Sequence, residues 1–306
     1  MNHSLAHEAK ANPALGFIVA LSTFLLAACG GGGGTSNTTS EPTVSNFSAS
    51  DTMYSQKVVA TVTGSNVNSG LAATSTACTA PMTLSTATPL VSDASTAYYT
   101  CTAASVGTHT VALARSADGA ALGSANVNVP MPQVTMTVSN GAAVAGTIVF
   151  TLAPDKAPIT VANFLRYVND GFYKDTVFHR VAVSPIPFVI QGGGVRLSGA
   201  PTKGVFPPIA LEVNKGLSNV KWSLAMARTG EPNSATSQFF VNLSDNLNLN
   251  PGASSAGYAV FGHVSAGTDV VTAITTAPCQ ALPGFTTVPE CTPIPAMVIT
   301  SMIQTQ

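Results

Sequence analysis

Residues 157–181 read APITVANFLRYVNDGFYKDTVFHRV, and the period of this block fixes the class of domain around it. Pro158 and Thr160 make a helix start signal, Val161, Phe164, Leu165 and Val168 recur at i, i+3, i+4 and i+7, and Gly171 ends the run. The spacing predicts one amphipathic helix. On either side the period changes to that of strands: VTMTV and GTIVFTL before it, then FVIQ, WSLAMA, QFFVNL, GYAVFGHV and AMVITSMI after it. A second, short helix is expected at TDVVTAI, with Thr268 as N-cap and Val270, Val271 and Ile274 on one face. Many strands with only two helices predict a mainly β fold closed into a barrel, with the helices covering its ends. Closure also removes exposed strand edges.

The whole chain has 306 residues, 45% hydrophobic and 8% charged, so its length predicts about two domains. With 12 Lys+Arg against 13 Asp+Glu there is no basic stripe to meet nucleic acid, and no nucleic-acid partner is expected. The amino terminus differs in kind: a polar start with Lys10 leads into GFIVALSTFLLAAC, an apolar run too short for a permanent membrane helix. Residues 1–28 therefore read as a signal peptide. Its end, Leu26 to Gly30, resembles the bacterial lipobox, which implies acylation of Cys29 and anchoring to a membrane through lipid. Residues 29–43 are rich in Gly, Ser and Thr and read as a flexible tether.

Residues 44–130 carry alternating runs, KVVATVTG, AYYTCTA, THTVALARS and SANVNVP, which predict a small all-β domain. Tyr99 stands two residues before Cys101, which resembles the tyrosine corner of immunoglobulin-like sandwiches, although the domain has no tryptophan. It holds no cluster of chemically active side chains, so spacer or binding module are its expected roles. Of five cysteines, Cys29 is assigned to lipid, leaving an even set, Cys78, Cys101, Cys279 and Cys291. In an oxidising compartment these pair, and proximity in sequence favours Cys78 with Cys101 and Cys279 with Cys291. Metal binding is the weaker reading, without a C-x-x-C motif or a nearby histidine.

Several catalytic patterns are excluded within residues 131–306. Gly192 to Gly194 lacks the third glycine of a dinucleotide loop, and GASSAG at 252–257 lacks the spacing of a nucleophile elbow. His179 and His263 have no ligand-spaced partner, and Asp170, Asp175, Glu212, Glu231 and Asp245 lie in polar, turn-like surroundings. No cofactor or metal is expected. What remains is Arg180, Gln191 and a set of apolar residues.

Those residues sit in motifs that resemble cyclophilins, the peptidyl-prolyl cis/trans isomerases, and most closely the exported bacterial type. The motifs are the opening block, F-H-R at Phe178 to Arg180, F-x-I-Q-G-G from Phe188, M-A-R-T from Met226, S-A-T-S-Q-F-F from Ser234 and G-Y-A-V-F-G from Gly257. The resemblance spans about residues 132–306 and implies an eight-stranded closed barrel. It implies that Arg180 is catalytic, that Gln191 orients it and the substrate carbonyl, and that Phe188, Val189, Phe240 and Leu249 line a proline pocket. Ala227, Arg228, Gln238 and Tyr258 fall in the matched groove, Ala227 and Arg228 acting through backbone. Phe239 is assigned to the core and His179 to structure.

The chemistry accounts for these residue types. Partial double-bond character opposes rotation about a peptide bond by ~18–20 kcal/mol, and X-Pro bonds interconvert in tens to hundreds of seconds. No bond breaks, so the catalyst has to hold the proline ring and favour the twisted state, whose pyramidal nitrogen accepts a hydrogen bond. An arginine is permanently charged and donates in a fixed fork, and apolar walls strengthen the bond by excluding water. Raising a rate from ~0.01 to ~1,000 per second needs about 7 kcal/mol of differential stabilisation.

Two departures from the resemblance stand out. VAVSPIP between Arg180 and Phe188 is longer than the family pattern, which puts the register of Phe188 opposite Arg180 in question. Asn248 replaces the usual aromatic, which predicts weak cyclosporin binding. The favoured reading is a monomeric isomerase acting on X-Pro bonds of unfolded or flexible polypeptides, lipid-anchored outside the cytoplasm in the periplasm or at the outer membrane. The alternatives are a low-turnover peptide-binding or chaperone module and an adhesin.

Overall fold

A computed structural model describes residues 40–183, 186–202, 204–280 and 290–306. The signal peptide, Cys29, most of the tether, and Ser184 and Pro185 of the inserted segment lie outside the described residues. Residues Ser40–Gln306 form one compact unit.

Its first part is two antiparallel sheets. The strands are β1 (Thr43–Ser50), β2 (Lys57–Ser65), β3 (Leu71–Ser75), β4 (Thr83–Leu84), β5 (Thr96–Thr102), β6 (Gly107–Arg115) and β7 (Ala121–Val129). One sheet runs β1-β2-β5-β4 and the other β3-β6-β7. Alternation puts Val58, Ala60 and Val62 of β2 and Val111 and Leu113 of β6 in the core. The Tyr99 hydroxyl donates to the Leu71 carbonyl at 3.3 Å, from a strand of one sheet to a strand of the other. A tyrosine corner bonds backbone a few residues upstream, so this contact is instead a tie between sheets. Cys78 and Cys101 form the expected disulfide.

Only Pro130, Met131 and Pro132 separate β7 from the second part, which holds β8 (Gln133–Ser139), β9 (Ala145–Leu152), α1 (Pro158–Asn169), β10 (Arg180–Ala182), β11 (Val189–Gly192), β12 (Ser223–Met226), β13 (Phe239–Asn242), β14 (Val260–Ala266), α2 (Thr268–Thr276), β15 (Cys279–Gln280), β16 (Glu290–Pro293) and β17 (Val298–Gln304). These strands make one sheet in the order β15-β16-β10-β11-β13-β12-β14-β9-β8-β17. The expected ring of eight strands is thus a ten-stranded sheet whose ladder runs open from β15 to β17. Backbone bonds tie the last strand to the residues just before β10: Asp175 donates to Ile299, Ile299 to Thr176, and Phe178 to Met297. Because these residues lead into β10, the third strand from the β15 end, the sheet curls until β17 meets the approach to β10, and β15 and β16 lie beyond that junction.

Helix α1 lies where its period predicts, with Pro158 in the first turn, but its cap is not local. The Glu212 carboxylate accepts from the backbone of Ile159 at 3.1 Å and Thr160 at 2.7 Å and from the Thr160 hydroxyl, satisfying free amides at the positive end of the helix. Helix α2 starts one residue earlier than expected in capping terms: Gly267, at φ 82°, is the N-cap and Thr268 is already helical. A side chain on Gly267 would press on the Thr147 carbonyl, so glycine is required there twice over. The aromatic core is centred on Phe239, whose ring meets Phe150, Phe164, Tyr173 and Phe178. Cys279 and Cys291 form the second disulfide.

Candidate functional site

Strands β11, β12 and β13 are buried on both faces, and their two-residue period sorts side chains between core and groove. Ile190, Leu224, Met226, Phe239 and Val241 face the main core. Val189, Ala225 and Phe240 point the other way and, with Ala182 and Val260, form a second apolar cluster against which Phe188, Ala227, Leu249 and Tyr258 pack. On this second face lies a cavity of about 340 Å³. It is bounded by Arg180, Phe188, Val189, Gln191, Ala227, Arg228, Phe240, Leu249 and Tyr258. Nine of the ten residues assigned to the groove from sequence therefore meet around one space. The tenth, Gln238, does not line it but accepts a bond from the Gln191 amide at 2.8 Å.

Arg180 and Gln191 are direct cross-strand partners on β10 and β11, and the Arg180 Nη1 donates to the Gln191 Oε1 at 3.2 Å. Gln191 thus passes the guanidinium on to Gln238. Sequence gave no hint of a further partner: Glu290 on β16, where Arg180 Nε donates to Oε2 at 2.7 Å and Nη2 to Oε1. Two parallel bonds make this a fork-to-fork pair, about twice as strong per bond as neutral ones. The hydrogen bonds from Arg180, helped by its charge, hold the Glu290 carboxyl below the usual carboxylate range even though partial burial pushes the other way.

Phe188 keeps its place despite the longer connection before it. Its amide donates to the Ala182 carbonyl at 2.9 Å, and its own carbonyl accepts from the Leu243 amide at 2.9 Å and the Asn246 side chain at 2.7 Å. Of the added segment, Ile186 and Pro187 are exposed. Asn246 belongs to a buried amide network that sequence reading did not single out. It donates to Asn242, Asn242 donates to Asn219 and Ser223, and Asn219 donates to the Leu249 carbonyl and to Asn250. Two walls of the cavity, Phe188 and Leu249, therefore hang on the same chain of amides. The signal in the sequence was the spacing of Asn242, Asn246 and Asn250, four apart.

Arg228 is spent locally: its guanidinium donates to the carbonyls of Gly257, Thr229 and Gly230 and stacks over the Tyr258 ring. The Ala227 amide donates to the Gln238 carbonyl, so the Ala227 carbonyl is what its backbone can offer a peptide. His179 is buried, and desolvation lowers its pKa to about 4, a shift that Arg180 reinforces and bonds with Val177 backbone and Gln238 oppose. It is neutral at ordinary pH and is not among the residues that line the cavity. Asn248 is exposed at the rim, in a short 3-10 turn from Leu247 to Leu249.

The family model described as cyclophilin type peptidyl-prolyl cis-trans isomerase matches residues 133–302. The chain belongs to this family. Peptidyl-prolyl cis-trans isomerase A of Dickeya dadantii is 44% identical over 147 residues, covering 48% of this chain and 75% of the relative. The isomerase of Acinetobacter baylyi is 46% identical over 145 residues, covering 47% and 75%. Peptidyl-prolyl cis-trans isomerase B of Escherichia coli is 50% identical over 129 residues, covering 41% and 76%. All three matches are shorter than the cyclophilin-type half of the chain, and the activity they share is isomerisation of the peptide bond before proline.

Proposed function

We propose that this cyclophilin-type isomerase works outside the cytoplasm, anchored to a membrane by acylated Cys29, on X-Pro bonds of unfolded or flexible exported polypeptides. In this reading residues 1–28 are removed, residues 29–43 are the tether, and the small immunoglobulin-like sandwich of residues 44–130 holds the isomerase of residues 131–306 away from the bilayer. The two disulfides support an oxidising compartment.

The observation that carries the catalytic part is the convergence of Arg180 with Phe188, Val189, Phe240 and Leu249 on one cavity. The proline ring enters between Phe188, Phe240 and Leu249, where water is excluded. The Gln191 and Arg180 side chains face the bond about to rotate. As the nitrogen becomes pyramidal, its lone pair accepts a hydrogen bond from an N–H of Arg180, which is stronger in the twisted state than in either planar one. No proton is transferred, so no titrating group is needed. Of the five guanidinium N–H bonds, two go to Glu290 and one to Gln191, which leaves two for the substrate.

A protease-coupled proline-peptide assay on Arg180→Ala tests the reading. A fall of about 100- to 1,000-fold in kcat/KM is expected for loss of one preorganised charged donor. Equal slow rates for wild type and variant would leave a peptide-binding module instead. The anchor is tested separately by labelling with radioactive palmitate in the producing cell, where Cys29→Ser should remove the label.

A further inference from the structure

The Arg180 guanidinium is fixed from a part of the chain that none of the family motifs includes. Strand β16 lies against β10 with Ala182 opposite Glu290 and Val181 opposite Cys291. Arg180 and Ala182 share a face of β10, and Ala182 faces the groove. Glu290 therefore rises on the groove side, one diagonal step from Arg180, which is within reach of two long side chains. The next residue, Cys291, faces the other way and is bonded to Cys279 on β15, which pairs with β16 through Cys279 to Pro293 and Gln280 to Thr292. The Thr292 hydroxyl then donates to the His179 carbonyl at 2.6 Å, tying β16 to the residue just before Arg180.

We propose that Glu290 is a positioning residue for the isomerisation, fixing the plane of the Arg180 guanidinium, and that the Cys279–Cys291 disulfide is the staple that holds Glu290 in place. This rests on Arg180 being the catalytic group. The need follows from geometry. A bond to a nitrogen that becomes pyramidal is directional, and an arginine side chain left to turn in a half-open groove would spread its N–H groups over many directions. Gln191 restrains one nitrogen, which still allows the plane to rotate. Glu290 takes Nε and Nη2 together, and two parallel bonds remove that rotation. With side-chain exposures of 28% for Arg180 and 32% for Glu290, the pair is too wet to add much to stability, so its effect is expected in turnover.

The experiment is a double-mutant cycle on the full-length oxidised protein with a proline peptide, using wild type, Glu290→Ala, Arg180→Ala and both together. Glu290→Ala should lower kcat about tenfold, the size expected when a reacting donor loses its orientation, with KM within about twofold. In the Arg180→Ala background the second substitution should change nothing. A general structural fault would reduce both backgrounds alike, and that result, or a wild-type or raised kcat for Glu290→Ala, overturns the proposal. Glu290→Gln, of the same shape, replaces Glu290→Ala in the cycle if the alanine variant does not fold. The paired Cys279→Ser/Cys291→Ser variant should also lose kcat, by about threefold, since the strand pairing remains. Unchanged turnover there overturns the role of the staple. If Arg180→Ala itself runs at the wild-type rate, the catalytic reading fails. If only Glu290→Ala does, the failure belongs to this inference alone.

Discussion

The two halves of residues 40–306 are both β-rich and each carries one disulfide, yet they bury different things. Among the described residues of the sandwich, the buried polar side chain is Thr100. The isomerase half buries Asn140, Thr160, Asn163, Thr176, His179, Asn219, Ser223, Ser237, Asn242, Asn246 and Thr292. Burying an amide is unfavourable unless its bonds are all made, so polar groups accumulate where backbone has to be held in a shape that no regular ladder supplies. In the sandwich, the interior is strand alternation with few buried polar groups, and the side chains that hold backbone, such as Asp51 on the Asn128 amide, are exposed. In the isomerase half, irregular backbone at Phe188, Leu249 and the start of α1 is pinned by side chains from elsewhere.

The contrast can be tested at three levels. The strongest test removes the sandwich disulfide: Cys78→Ser/Cys101→Ser, with a sequence separation of 23, should cost about 3 kcal/mol in denaturant unfolding. Its kcat at 25 °C should stay at the wild-type value. A loss of turnover in the folded variant would show that the sandwich is part of the catalytic body and would break the contrast.

Acid is the second test, and it acts on the isomerase half. His179 has a folded pKa of about 4 against an ordinary value near 6.5, so the unfolded chain binds the extra proton first. Its contribution is fully present above about pH 6.5 and is lost as pH falls toward 4, amounting to roughly 2 to 3 kcal/mol. Trp222, the one tryptophan of the chain, lies beside β12 and reports on this half by fluorescence. His179→Gln should flatten the slope between pH 6.5 and 4. An unchanged slope in that variant would assign the acid sensitivity elsewhere. Glu290, held below the carboxylate range, releases its share only at lower pH.

The smallest effect is expected from the amide network. Asn242→Ala leaves Asn219, Ser223 and Asn246 short of a partner and should cost about 2 kcal/mol. KM should rise as well, since Phe188 and Leu249 hang on the same amides. Thr100→Ala in the sandwich should leave KM where it is.

These differences also mark what could be read from the sequence. Helix α1, the strand runs of the isomerase half and the residues around the cavity were legible because period and motif are local properties. The three-residue strand β10 and the proline-bearing β16 were too short for a period to show. β1, β3 and β4 of the sandwich were hidden among Ser, Thr and Ala, which alternate without contrast. Glu290 stands 110 residues from Arg180, and only the pairing of β16 with β10 brings them together. Glu212 reads as a turn residue for the same reason: the helix that it caps lies more than fifty positions upstream.

Phe239 and Phe240, adjacent in β13, look into opposite faces of one sheet, the first into the aromatic core and the second into the groove. A single inserted or deleted residue within β13 would exchange them, putting the core ring in the cavity and the cavity ring in the core. Added length is tolerable between β10 and β11, where Ile186 and Pro187 are exposed and Phe188 still pairs with Ala182. It is not tolerable in the four residues of β13, whose reading frame is shared by folding and by substrate choice.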